Sequence, residues 1–266
     1  METVTLTLKE QPDLFLEAES VTPDAFTGKS TAEIAALPVY QGNRQLTIGD
    51  WFDVAGKGGV TTDDTRIIVK GDTTRVKWVG SRMTGGELVV EGNLDMYTGA
   101  FMAGGTLTVK GNVDAFAGTG MTGGELVVDG NAGNYLGAAY RGDWRGLQGG
   151  RIRVRGNAGS DIGTYINGGE IIVHGNCDVH VGTHAEGGTI IIKGNAMSRV
   201  GGQMVKGNIY VYGDIDVMMP GFAYRDDVEL EVDGESATFA RYEGDLGERH
   251  QKRKGETIYG QLYLRY

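Results

Sequence analysis

The spacing of glycine limits what this chain can fold into more than any other feature. Gly-Asn pairs stand at Gly92-Asn93, Gly111-Asn112, Gly130-Asn131, Gly156-Asn157, Gly175-Asn176 and Gly194-Asn195, with Gly71-Asp72 before them and Gly213-Asp214 after. From residue 92 to residue 213 the step is 19 residues every time except one, which is 26. Gly-Gly pairs at 85-86, 104-105, 123-124, 149-150, 168-169 and 187-188 keep the same step and skip at the same place, ending in the variant Lys206-Gly207. Seven residues, Tyr140 to Gly146, are therefore inserted into an otherwise regular array.

Each Gly-Gly and the next Gly-Asn enclose a short alternating segment: Leu88 and Val90, Leu107 and Val109, Leu126 and Val128, Ile152 and Val154, Ile171 and Val173, Ile190 and Ile192, Ile209 and Val211. Alternation of branched apolar residues between glycine turns marks strands. A second, weaker strand follows each Gly-Asn, as in Asn93 to Thr98 and Asn176 to Val181. Helices of about ten residues do not fit between such closely spaced glycines, which disfavours helical and leucine-rich solenoids. The expected fold is all-β: a right-handed parallel β-helix, a single-stranded solenoid of about seven 19-residue coils.

One coil cannot bury its own apolar face, but stacked coils can, and seven of them at about 4.8 Å make a rod on the order of 30 Å long. The aligned Leu, Ile and Val positions are expected to form ladders inside it. Glycine at the corners is expected to supply positive φ, asparagine to tolerate the left-handed region, and stacked asparagines to hydrogen-bond between coils. Residues 1–65 form an N-terminal extension and cap with a short strand, a helix around Ser30 to Leu37 and the aromatic pair Trp51-Phe52; residues 66–220 form the repeat domain. Residues 221–266 form a tail on or beyond its end.

The 46 glycines of the 266 residues are used for geometry, because only 4 prolines accompany them, which excludes collagen-like and Pro/Gly-rich disordered chains. A net charge of −10 opposes attraction to nucleic acid and anionic membranes. The lone Cys177 permits no internal disulfide or thiolate cluster and fits a reducing cytoplasm. The start, Met1 to Leu6, lacks signal-peptide character, and no stretch approaches a membrane span.

Three patterns invite a chemical reading and fail it. Gly118 to Gly123 matches the dinucleotide fingerprint but leads into a strand, without the helix start that holds pyrophosphate. His174, Cys177, His180 and His184 are close in sequence, yet Cys177 shares its repeat position with Leu94, Val113, Ala132, Ala158 and Ala196, an interior row. His180 shares its position with Tyr97, Phe116 and Tyr135, an exterior row, so the thiol and the imidazole diverge and make a poor metal site. Asp95, Asp114 and Asp178 recur at one repeat position, as a solvated row does and a catalytic carboxylate pair does not. No catalytic, cofactor or metal residue is expected.

Candidate interface residues are clearer. The insertion carries Tyr140, Arg141, Asp143, Trp144 and Arg145, and aromatic residues and arginine are enriched at interface hot spots. The competing reading has Trp144 folding back as a local cap. Tyr97, Phe116 and Tyr135 are expected to stack on one outer face, and Val89, Val127, Ile172, Ile191 and Tyr210 to line another, broken by Thr108 and Arg153. Such apolar surface marks either a partner site or a face covered by the chain's own helix at Ala32 to Leu37 or by its tail. The run Glu248 to Lys254 reads as a solvated loop or a contact for an acidic neighbour.

The unit Gly-x-x-Met-x-x-Gly-x-Leu-x-Val-x-Gly is read directly from Gly80 to Gly92, Gly99 to Gly111 and Gly118 to Gly130. Together with the insertion and the opening Leu8-Lys9-Glu10-Gln11-Pro12, it resembles the C subunit of formylmethanofuran dehydrogenase, a family related to the glycine-repeat C-terminal domain of glutamate synthase. Ala185 at the methionine place and Lys206 at the glycine place depart from the pattern. The resemblance implies a part in reducing CO2 and attaching the formyl group to methanofuran, the first step of methanogenesis, as a non-catalytic scaffold. It implies partners with the chemistry: molybdenum or tungsten pterin subunits with iron-sulfur clusters, an amidohydrolase-like subunit with a dinuclear metal site, and a polyferredoxin. The alternative is the equivalent subunit of a formyltransferase/hydrolase complex in one-carbon metabolism, without redox chemistry.

Overall fold

The computed structural model describes residues 1–266. Three one-turn helices, α1 (Pro23–Phe26), α2 (Thr31–Ala35) and α3 (Ile48–Trp51), interrupt a chain that is otherwise strands and turns. The main sheet has 13 strands. In chain order they are β1 (Glu2–Leu8), β2 (Phe52–Ala55), β3 (Thr65–Lys70), β4 (Glu87–Val90), β5 (Ala103–Val109), β6 (Gly123–Val128) and β7 (Arg151–Val154). The remainder are β8 (Glu170–Val173), β9 (Glu186–Ile192), β10 (Lys206–Val211), β11 (Ala223–Val232), β12 (Glu235–Gly244) and β13 (Gly260–Arg265). From β3 to β10 each strand pairs in parallel with the next, and equivalent repeat positions face one another.

That register sets the core. Leu88, Leu107, Leu126, Ile152, Ile171, Ile190 and Ile209 stack in one row and Val90, Val109, Val128, Val154, Val173, Ile192 and Val211 in another, all essentially without solvent exposure. Each fully buried branched side chain contributes about 1.5–3 kcal/mol. Both termini extend the rows: β1 pairs in parallel with β3, setting Val4 on Ile67 and Leu6 on Val69, and β13 pairs in parallel with β10, setting Leu262 on Ile209. The helix expected near Ser30 is α2, with Ser30 and Glu33 in a reciprocal capping box.

The second strand of each repeat is shorter than expected. Leu94, Val113, Ala132, Ala158, Cys177 and Ala196 pair as single bridges from coil to coil, and only Ala196–Ser198 and Ile215–Val217 make a regular pair there.

The corners differ from expectation in an instructive way. Each asparagine side chain reaches the next coil, but its partner is a backbone N–H and not another side chain: Asn93 Oδ1 accepts from Asn112 N at 2.8 Å, and the series continues through Asn112, Asn131, Asn157, Asn176 and Asn195 to Asp214 N. The left-handed backbone falls elsewhere, along one row that includes Trp78, Tyr97, Phe116, Tyr135, Asp161, His180 and Arg199, along a second that includes Arg82, Phe101, Tyr165 and His184, and at glycines such as the second of each Gly-Gly pair. From Gly111 onward the glycine of each repeated Gly-Asn pair is required for room. A Cβ at Gly175 would lie 2.7 Å from the Gly156 carbonyl oxygen and closer still to Asn157 Oδ1.

Candidate functional site

One side of the stack carries an aromatic ladder. Trp78 and Tyr97 stack at 4.2 Å between ring centroids, Tyr97 and Phe116 at 5.2 Å, Phe116 and Tyr135 at 4.6 Å. The left-handed backbone directs each N–H to the following coil, as from Tyr97 to the Ala115 carbonyl at 3.1 Å and from Phe116 to the Asn134 carbonyl at 2.9 Å. Left-handed φ costs a non-glycine residue roughly 1–2 kcal/mol, and stacking returns about 0.5–1.5 kcal/mol beyond burial, so ring contact offsets much of the strain. After Tyr135 the ladder changes character. Its next members, Asp161, His180 and Arg199, form a polar chain, His180 Nδ1 lying 3.5 Å from Asp161 and Nε2 3.1 Å from Arg199.

The insertion, between β6 and β7, folds over this ladder in part. Tyr140 lies across three rings, 5.8 Å from Tyr97, 5.9 Å from Phe101 and 6.5 Å from Trp78, and the Arg141 guanidinium stands 5.6 Å above Phe116. Burial, and then the neighbouring Tyr140, push the Tyr97 phenol above its ordinary pKa. Trp144 is not the residue that folds back; it is 61% exposed. Asp143 stiffens the tip: Oδ1 accepts from the Trp144 and Arg145 backbone N–H groups and from Arg145 Nε at 2.9 Å, and Oδ2 accepts from Arg145 Nη2 at 2.8 Å. That forked pair holds the Asp143 carboxyl below the usual carboxylate range. Between tip and ladder lies a shallow pocket of about 210 Å³ that includes Phe116, Tyr135, Arg141 and Tyr165.

The candidate interface residues therefore separate into two groups. Trp144 and Arg145 project outward, with Asp143 half-buried between them. Tyr140, 38% exposed, and the exposed Arg141 lie against rings of their own chain and keep an open side. Phe116, expected on the exterior, is 4% exposed beneath Arg141, which corrects that expectation, while Tyr97 and Tyr135 are half-buried.

The second outer face is divided. Ile172 and Ile191 are buried beneath the β11–β12 hairpin, packed with Val232 and Phe239, while Tyr210 stacks on Tyr263 at 4.5 Å. Coverage by the tail thus accounts for the C-terminal half of this face; α2 instead packs on α3 and β2. Ile68, Val89, Thr108 and Val127 remain half-buried.

The other sequence candidates are placed plainly. Cys177 is 2% exposed in its predicted row, with burial pushing its thiol pKa up to about 12, and His180 lies on the outer side. Gly118 to Gly123 forms turns entering β6. Asp95 is 7% exposed and its carboxyl pKa is raised by burial, whereas Asp114 and Asp178 are exposed, so the predicted solvated row holds only in part. No three His, Cys, Asp or Glu side chains gather where they could hold a metal ion. No helix is long and apolar enough to cross a membrane.

No family model matches the chain. It is 44% identical over 99 residues to the C subunit of the tungsten-containing formylmethanofuran dehydrogenase 2 of Methanothermobacter wolfeii, a match that spans 37% of each chain. With the corresponding tungsten-enzyme subunit of Methanococcus maripaludis it shares 51% identity over 147 residues, 55% of this chain and 53% of that one. With the C subunit of the molybdenum-containing formylmethanofuran dehydrogenase 1 of Methanosarcina barkeri it shares 41% over 97 residues, 36% and 32% of the two chains. The chain thus spans between about a third and a half of the length of these curated relatives. In structure it is similar to a chain of the formyltransferase/hydrolase complex of Methylorubrum extorquens, solved with methylofuran, with a TM-score of 0.85, 27% identity and 98% of each chain covered. The likeness to formylmethanofuran dehydrogenase C subunits read from the repeat is borne out by these relatives.

Proposed function

We propose that this chain is a structural, non-catalytic subunit of formylmethanofuran dehydrogenase, scaffolding the complex that reduces CO2 and attaches the formyl group to methanofuran. One observation carries the reading: a chain 41–51% identical to C subunits of that enzyme across the matched residues also shares its fold, end to end, with a component of a formyltransferase/hydrolase complex. In this reading the stack is a right-handed parallel β-helix of seven 19-residue coils over residues 66–220, flanked by a cap over 1–65 and a tail over 221–266. The pterin metal, the iron-sulfur clusters and the dinuclear metal site belong to partner subunits, which are the molybdenum or tungsten subunits, an amidohydrolase-like subunit and a polyferredoxin. The setting is the cytoplasm.

A rigid rod suits docking because its coils bring chemically distinct faces to fixed angles. Trp144 and Arg145 are the contact residues we assign first: both are exposed, both are hot-spot types, and the Asp143 fork holds the tip before any partner arrives. The equivalent subunit of a formyltransferase/hydrolase complex is the second reading, favoured by the near-complete structural match to that system.

Purification from native cells under mild conditions tests both. Co-elution with an amidohydrolase and a molybdenum or tungsten subunit, in a fraction that oxidises formylmethanofuran, supports the first; co-elution with formyltransferase and hydrolase chains alone supports the second. A lone folded chain refutes both. Trp144→Ala is expected to weaken co-elution and leave the fold intact.

A further inference from the structure

Next to the tail hairpin the outer surface changes sign. The residue just after the aligned part of each strand forms a row running from coil to coil: Lys70, Glu91, Lys110, Asp129, Arg155, His174, Lys193 and Tyr212, with each N–H from Glu91 onward bonded to the strand before it. In the first half the charges alternate and pair, Lys70 with Glu91 at 3.5 Å and Lys110 with Asp129 at 3.2 Å. In the second half no acidic residue belongs to the row. Arg155, His174 and Lys193 follow one another at about 4.8 Å spacing, two cations separated by one imidazole.

The available counter-charges are too few. Three carboxylates, Asp129, Asp233 and Glu235, answer five cations, Lys110, Arg153, Arg155, Lys193 and Arg265. Asp129 is shared between Lys110 and Arg155, and Asp233 meets Arg153 at 3.5 Å and Lys193 at 3.7 Å, both long for a hydrogen-bonded pair. His174 makes no ion pair. Burial, and then Arg153, hold its imidazole below its ordinary pKa; Lys193 and Arg155 act in the same direction and Asp233 against them. An open groove of about 480 Å³ lies here, lined only by Arg153, Arg155 and His174. A chain of net charge −10 has gathered more cations than carboxylates around one concavity.

We propose that this groove is a binding site for an oxyanion, a carboxylate or phosphate group of a small ligand, gripped by the Arg153 and Arg155 guanidinium forks and by His174. Arginine presents planar donor pairs that match both groups, and parallel pairing of the strands fixes the three residues on adjacent positions of a rigid surface. The missing counter-charge is the ligand's.

The protein's four histidines make the test direct. The full chain is titrated by NMR with inorganic phosphate and, separately, with succinate, at constant ionic strength against chloride. The His174 ring signal is assigned by its loss in His174→Gln. The expected result is a saturable shift of His174 that leaves His184 and His250 unmoved, about tenfold weaker in Arg155→Ala as one charge-assisted contact is lost. Saturation by phosphate alone assigns a phosphate site, by succinate alone a carboxylate site, and by both a general oxyanion site. A linear drift equal to that in chloride, or an affinity unchanged in Arg155→Ala, overturns the proposal. Because the Arg155 side chain is 66% exposed, its removal leaves the fold intact, and Arg155→Lys is expected to keep part of the affinity.

Discussion

Replacing Gly175 by alanine tests why the repeat needs its Gly-Asn glycine. Its φ is not positive, so alanine suits the backbone there, and Gly to Ala at a compatible site commonly stabilises by about 0.4–1 kcal/mol. The structure predicts the opposite sign. The new Cβ would lie 2.7 Å from the Gly156 carbonyl oxygen, which accepts the Gly175 N–H at 2.9 Å, and would overlap Asn157 Oδ1, which accepts the Asn176 N–H at 2.8 Å. Overpacking of this kind costs about 1–3 kcal/mol and a lost hydrogen bond about 1 kcal/mol, which leaves a net destabilisation of about 2 kcal/mol. Urea unfolding followed by far-ultraviolet circular dichroism measures it, and amide exchange should show Asn176 losing protection. Gly142→Ala is the control: φ there is 83° and nothing lies within 4 Å, so only backbone strain of about 1–2 kcal/mol applies. A Gly175→Ala protein at least as stable as the wild type would refute the close-approach argument.

Cys177 should stay unreactive toward thiol reagents in the native protein and become labelled only when urea opens the fold, since its thiol is buried and its pKa is raised to about 12. Stability should fall as pH drops through the His174 range: with a folded pKa below the unfolded value of about 6.5, the unfolded chain binds the extra proton first, so the loss begins near the unfolded pKa and is complete below the folded one. His174→Gln should flatten that part of the pH profile. Phe239→Ala should destabilise by about 3–5 kcal/mol in thermal or urea unfolding, because a fully buried ring between Tyr210, Tyr212 and Tyr263 leaves a cavity, and a change under about 1 kcal/mol would mean that the hairpin does not hold this face.

The repeat made the interior legible because two signals coincide there. A constant step aligns equivalent residues, and strand alternation assigns their faces, so Cys177 could be put in the row of Leu94 and Val113 and separated from His180. The corners were harder. Asparagine favours both left-handed backbone and hydrogen bonding, and only the second use occurs here; the left-handed positions are held by residues as different as Tyr97, Phe116, Asp161 and Arg199, whose types do not announce φ. The insertion's residue types marked it as a surface feature, but composition does not say which aromatic turns inward. Reach decides that: Tyr140 can span Trp78, Tyr97 and Phe101, and Trp144 lies beyond the bend at Gly142. The long tail hairpin did carry a signal, Asp233-Gly234 between alternating Val228, Leu230, Val232 and Ala237, Phe239, a turn dipeptide flanked by strand patterns.

The single break in the repeat coincides with a change on three outer surfaces, while the asparagine row at the corner passes through it unaltered. Before it, the aromatic ladder is made of rings; after Tyr135 the same positions hold Asp161, His180 and Arg199. Before it, the sheet face shows half-buried Val89 and Val127; after it, Arg153 reaches Asp233 of the hairpin turn, and Ile172 and Ile191 are buried. Before it, the charge row alternates; after it, the row holds no acidic residue. Core packing requires none of these changes, since the interior rows pass through the break with Leu126 on Ile152 and Val128 on Val154 in unbroken register. The interior rows are continuous and these outer surfaces are not, and Trp144 projects at the join. Two of the three changes meet at the tail hairpin, whose Asp233 faces both Arg153 of the sheet face and Lys193 of the charge row, so the hairpin links those two, while the ladder changes through its own side chains.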